Sequence, residues 1–177
     1  VIGMHYFSPV EKMPLLEIVV GEETDEAVLG RCLAYGRAIG KTPIVVNDGY
    51  GFYTSRVFAS YLLEAVQLVS EGHDPVLIEW AARSAGMVVP PLKVFDEVSL
   101  TLGCHGIVQR ERYVGEPVDL EGIRLIKELV DVHGRGGKAA GGGFYDYEGK
   151  TRRIWPGLAE LITQTPERTG VNYIEDR

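Results

Sequence analysis

With 177 residues, 45% hydrophobic and 24% charged, the chain has enough apolar material for a core and for two small lobes, which excludes disordered and fibrous classes. A formal net charge of -7 argues against non-specific nucleic-acid binding, which needs clustered Lys and Arg. No apolar run reaches the roughly 20 residues that cross a bilayer, so no membrane span is expected, and the start carries no signal-peptide pattern.

The chain begins at Val1 in a strand-like run and reads as a fragment of something longer. Up to Val46, strand and helix alternate: an apolar start, a strand at Leu15–Val20, a helix, and a strand over Pro43-Ile44-Val45-Val46. Thr24 is the expected cap of that helix. Asp25 and Glu26 suit its first turn, Val28, Cys32, Tyr35 and Ile39 recur at helical spacing, and Gly40 stops it. This is the pattern of the end of an α/β sheet.

After Asn47-Asp48-Gly49-Tyr50-Gly51 the strand signals give way to helical ones, which puts the main boundary near Asp48. Residues 52–70 form a long helix with Phe58, Leu62, Ala65, Val66 and Val69 on one stripe, closed by Gly72. Asp74-Pro75 opens the next helix and Gly86 ends it; Pro90-Pro91 breaks the chain before residues 92–98. Two more helices are expected over residues 99–113 and 119–132, so this part is all-helical. A glycine-rich stretch (134–143), the aromatic run Phe144-Tyr145-Asp146-Tyr147 and a weak helix at 158–162 follow. The expected domains are therefore 1–47, 48–163 and a polar tail, 164–177.

Cys32 and Cys104 belong to no C-x-x-C or Cys/His cluster, so neither a metal site nor a disulfide is indicated and both read as buried free thiols. The basic clump Lys150-Thr151-Arg152-Arg153 reads as a solvated loop. The glycine-rich stretch contains no G-x-G-x-x-G and follows a helix instead of a strand; it reads as a flexible loop, with Lys138 as a candidate cofactor contact.

One acid stands out: Glu17, inside the apolar run Leu15-Leu16-Glu17-Ile18-Val19-Val20. A half-buried carboxylate needs a donor, and an imidazole oriented by a carboxylate makes a general base near neutral pH; His5 is the nearest upstream candidate. Spacing alone leaves two readings open, a catalytic dyad or a strand histidine unrelated to a separately paired acid.

The segments Gly3-Met4-His5-Tyr6-Phe7-Ser8-Pro9-Val10, Leu15-Leu16-Glu17 and Asp48-Gly49-Tyr50-Gly51-Phe52-Tyr53-Thr54-Ser55-Arg56 together resemble the 3-hydroxyacyl-CoA dehydrogenase family. The resemblance extends through Pro90-Pro91 and Asp96-Glu97-Val98 to Gly143-Phe144-Tyr145-Asp146-Tyr147, and is strongest to the dehydrogenase part of multifunctional fatty-acid oxidation α-subunits. It implies the end of a Rossmann-type NAD domain, then an all-α domain of the 6-phosphogluconate-dehydrogenase C-terminal-like type.

The activity implied is NAD-dependent oxidation of L-3-hydroxyacyl-CoA to 3-ketoacyl-CoA in β-oxidation, with His5 as base and Glu17 holding its tautomer. Ser55 stands where the family often has an Asn that polarises the substrate oxygen, and Ser8, at another Asn position, lines the nicotinamide side. Ala139 and Ala140 replace basic and hydroxyl residues after Lys138. The resemblance also implies a homodimer through the helical domain, a thiolase subunit as partner, and a bacterial cytoplasmic location, or a mitochondrial one in a eukaryote. The rival readings are a non-catalytic dimerisation or docking module and a related sugar-acid dehydrogenase. The glycine-rich nucleotide turn is not in these residues, so the chain alone is expected to bind NAD weakly.

Overall fold

The computed structural model describes residues 1–162; the expected polar tail, 164–177, lies outside the described residues. The chain divides into two compact units, Val1–Phe58 and a second that begins at Ala59.

The first unit is a three-stranded sheet, order β1-β2-β3, with one helix. Strands β1 (Ile2–Tyr6) and β2 (Leu15–Val20) are antiparallel; β2 and β3 (Thr42–Asn47) are parallel and joined by α1 (Glu26–Ala38). The central strand explains its own sequence. Leu16, Glu17, Ile18 and Val19 are all buried, as in a strand covered on both faces, which is why the run is apolar without alternation. Pro43 falls on β3, at the border of this sheet, where a missing N–H is tolerated.

Helix α1 is capped one residue later than expected. Asp25, not Thr24, accepts from the backbone N–H groups of Ala27 (2.8 Å) and Val28 (3.2 Å). Thr24 is drawn away: its hydroxyl accepts from Gly21 N and donates to the carbonyl of Val1, tying the turn to the start of the chain. Both residue types cap helices, so only the tertiary bond to Val1 separates them.

Helix α2 runs Thr54–Ser70, two residues short of the expected start, because Phe52 sits at φ 47° in the left-handed region. The sequence changes character near Asp48, whereas the first compact unit extends to Phe58, since the opening of α2 is held by β2.

The second unit contains the rest of α2, then α3 (Pro75–Ser84), α4 (Pro91–Val98), α5 (Leu100–Val114) and α6 (Glu121–Asp131). Its core is the α2 stripe of Leu62, Val66 and Val69 against Leu92, Ile126 and Leu129. Phe58 heads the same stripe but stays partly exposed.

Past α6 the structure adds what the sequence reading lacked. Tyr145–Glu148 (β4) and Thr151–Ile154 (β5) form an antiparallel hairpin. The basic clump is thereby largely strand: Arg152 lies over the Tyr145 ring and Arg153 pairs with Asp146 at 3.4 Å. The short helix at the end is α7, Leu158–Leu161.

The glycine-rich stretch is a fixed crossing and not a free loop. Gly137 and Gly142 exchange two backbone hydrogen bonds, and Arg135 donates to the carbonyls of Gly143 and Tyr145 and to the Asp146 carboxylate. Glycine is required where the chain passes Asp96: any side chain at Gly143 would collide with that carboxylate. Asp96, 1% exposed, accepts from Phe144 N (2.8 Å), Tyr145 N (3.0 Å) and the Tyr147 hydroxyl (3.0 Å). Burial pushes its carboxyl pKa up, and these donors only partly offset that. Cys32 and Cys104 are free, half-buried thiols instead of fully buried ones.

Asp96→Ala would leave two buried N–H groups without acceptors and is expected to cost about 2–6 kcal/mol, at 1–3 for each unpaired donor. Gly143→Ala displaces the same carboxylate, so urea unfolding of the double variant should show less than the sum of the single losses.

Candidate active site

His5 and Glu17 face each other across β1 and β2 at the same register position, so their side chains share one face of the sheet. Imidazole Nδ1 and carboxylate Oε2 lie 2.7 Å apart. Glu17 is completely buried, while the His5 side chain is about one-third exposed. With Glu17 ionised, Nδ1 carries the hydrogen and Nε2 keeps its lone pair. The Phe7 ring lies 4.7 Å and the Phe52 ring 5.5 Å from the imidazole centroid, both tilted.

The other oxygen of Glu17 is also used. Oε1 accepts from the backbone N–H groups of Thr54 (2.8 Å) and Tyr53 (3.2 Å), at the opening of α2. The carboxylate is therefore the cap of that helix, placed by a strand 37 residues away, and the positive end of the helix favours its charge. Burial by itself would push the Glu17 carboxyl up; the hydrogen bonds from His5, Thr54 and Tyr53 overcome it and hold the pKa below the ordinary carboxylate range. The Thr54 hydroxyl also favours the charged form, yet it is buried and not aligned into a hydrogen bond with any described residue.

Of the remaining expected residues, Ser8 lies three positions beyond His5 and is exposed, at a cis Ser8–Pro9 peptide bond. Ser55 is exposed on the first turn of α2, next to Thr54, and so belongs to the first compact unit. Lys138 is in the second unit, on a single 3-10 turn (Lys138–Ala140), 3.7 Å from the Glu97 carboxylate and 5.5 Å from the Tyr147 ring centroid. Sequence reasoning missed Phe52 and the backbone of Tyr53 and Thr54 as parts of the site. The glycine-punctuated turn Gly49-Tyr50-Gly51 was the available signal: Gly51, at φ 69°, lets the chain fold back so that Phe52 N reaches the carbonyl of Gly49.

Neither helix N-terminus that follows a strand in this unit is open to a phosphate group. That of α1 holds its own Asp25 beside Glu22, Glu23 and Glu26, and that of α2 holds Glu17. Among the described residues no helix is long and apolar enough to cross a membrane.

Residues 1–49 match the family model described as 3-hydroxyacyl-CoA dehydrogenase, NAD binding domain, and residues 51–147 that of the 3-hydroxyacyl-CoA dehydrogenase, C-terminal domain. The fatty acid oxidation complex subunit alpha of Shewanella halifaxensis is 41% identical over 188 residues, covering 99% of this chain and 26% of the relative. That of Vibrio campbellii is 35% identical over 167 residues, covering 94% of this chain and 23% of the relative. The chain thus spans about a quarter of the length of these curated relatives. Among solved structures, 3-hydroxybutyryl-CoA dehydrogenase from Escherichia coli K12 superposes with a TM-score of 0.77 at 26% identity, covering 86% of this chain and 33% of that one. The (S)-3-hydroxybutyryl-CoA dehydrogenase of Ralstonia eutropha gives 0.76 at 27% identity, covering 83% of this chain and 52% of that one.

Because the folded pKa of Glu17 is lowered, its ionised form contributes stability that is fully present above the unfolded value of about 4.3 and lost as pH falls through the folded value. Glu17→Gln is expected to cost about 1.5–3 kcal/mol of stability at neutral pH, read by urea unfolding, the loss of charge-assisted bonds. The same variant should flatten the fall in stability below about pH 4.3.

Proposed function

The chain belongs to the 3-hydroxyacyl-CoA dehydrogenase family, and from that premise we propose that it carries the proton-transfer centre of an NAD-dependent oxidation of L-3-hydroxyacyl-CoA to 3-ketoacyl-CoA. The observation that carries the reading is the 2.7 Å bond between His5 and a fully buried Glu17, which leaves Nε2 as the available base.

In this reading Nε2 of His5 takes the proton of the substrate's 3-hydroxyl. Glu17 keeps the imidazole in the Nδ1–H tautomer and stabilises the imidazolium that forms, at no reorganisation cost because the N-terminus of α2 already fixes the carboxylate. NAD, when bound, supplies the acceptor for the hydride that leaves C3. Ser55, exposed beside Thr54, donates a hydrogen bond to the substrate oxygen, and Ser8 lines the nicotinamide side. Lys138 has a half-exposed ammonium whose ion pair is long, so it can turn to an anionic group of the cofactor.

Neither strand-to-helix N-terminus of the first unit can receive the cofactor's phosphates, since carboxylates occupy both. We propose that the domains divide as 1–47 and 48–163, followed by the tail 164–177. Exposed Leu102, Val108 and Val132 in the helical unit support a homodimer or docking of a thiolase subunit, and the bacterial relatives support a cytoplasmic setting.

In the natural polypeptide, His5→Ala is expected to lower 3-hydroxyacyl-CoA turnover by roughly 100-fold or more, the scale of general-base catalysis. Full activity in that variant removes His5 as the base. Calorimetry on residues 1–177 alone should show NAD binding weaker than micromolar.

A further inference from the structure

Phe52 has a non-glycine side chain on a backbone that favours glycine: its φ is 47°. Such a conformation persists only where the surroundings over-determine it. Two contacts do so here. The Phe52 ring lies 5.5 Å from the His5 imidazole, tilted by 55°. The next two residues, Tyr53 and Thr54, give their backbone N–H groups to Oε1 of Glu17. One residue thus touches one member of the dyad with its ring and aims the groups that hold the other with its backbone.

We propose that Phe52 is a positioning residue for the His5–Glu17 dyad. This deepens, and rests on, the reading of His5 as the base. The hydrogen bond to Glu17 fixes one atom of the imidazole, and a swing of the ring that turns Nδ1 away from Oε2 breaks it. Phe7 at 4.7 Å and Phe52 at 5.5 Å flank the imidazole and restrict that swing, so Nε2 keeps one direction. The Glu17 bond then sets the tautomer, and the two aromatic rings hold the plane in which that bond persists. The left-handed turn at Gly51 and Phe52 is the link, because an ordinary helical φ at Phe52 would start α2 two residues earlier and turn the Tyr53 and Thr54 donors away from Glu17.

Phe52→Gly separates the two roles. Glycine keeps the positive φ and with it the backbone donors to Glu17, while the ring is lost. In the natural polypeptide this variant is expected to unfold at or near the wild-type urea midpoint, to lose kcat by roughly tenfold or more, and to keep KM for the acyl-CoA within about twofold, as for a misplaced catalytic group. The nitrogen-15 shifts of His5 should change from one dominant Nδ1–H tautomer to a mixture. Phe52→Tyr, which retains the ring, should restore both readouts.

Wild-type kcat and an unchanged tautomer signature in Phe52→Gly overturn the proposal. A fall in kcat with an unchanged signature assigns the ring to substrate contact and overturns it too. A Phe52→Gly chain that does not fold makes Phe52 a packing residue, with the same consequence. Loss of activity in Phe52→Gly alongside full activity in His5→Ala would instead sink the functional reading, while the tautomer measurement still reports on Phe52.

Discussion

A carboxylate with no exposure to solvent, in the middle of a strand buried on both faces, exists only if both its oxygens meet donors. Glu17 meets that condition with three donors from two places in the sequence: His5 on the neighbouring strand, and Tyr53 and Thr54 at the opening of α2. The result binds sheet, imidazole and helix together through one side chain. It also settles the electrostatics. The bonds hold the carboxyl ionised against burial, and an ionised partner is what a base that gains a proton requires.

The same device recurs in the second unit. Helices α4 and α6 have no side-chain cap of their own, at Pro90 and Leu120. Glu79 of α3 accepts from Leu92 N and Lys93 N at the start of α4, and Gln67 of α2 accepts from Gly122 N at the start of α6. Asp96 does for the approach to β4 what these do for helices. Each helix end is thereby satisfied by its packing neighbour, so secondary and tertiary structure form together.

This arrangement explains which parts of the fold were legible. Helices α1 and α3 carry local caps, Asp25 and Asp74, and hydrophobic periodicity, and their positions follow from the chain itself. The start of α2 does not, because its cap lies 37 residues upstream. The choice between Thr24 and Asp25 turned on a bond to Val1 that no local pattern contains. The glycine-rich stretch misled for a related reason: its composition suits a free loop, but its glycines answer to close passage by Asp96 and to the Gly137–Gly142 bridge. The hairpin β4–β5 was hidden because its aromatic and basic residues read equally well as packing and as a solvated turn.

By itself the sequence determined the alternation of elements, the family, and the candidate pair His5 and Glu17, since periodicity, turn residues and an acid in an apolar run are local signals. It left open whether those two residues meet. Tertiary structure decided that, through a strand register that sets them face to face and a left-handed turn that delivers a helix N-terminus to the same carboxylate. Register and remote capping depend on where distant segments pack, and a hydrogen bond across 12 or 37 residues leaves no periodicity to read.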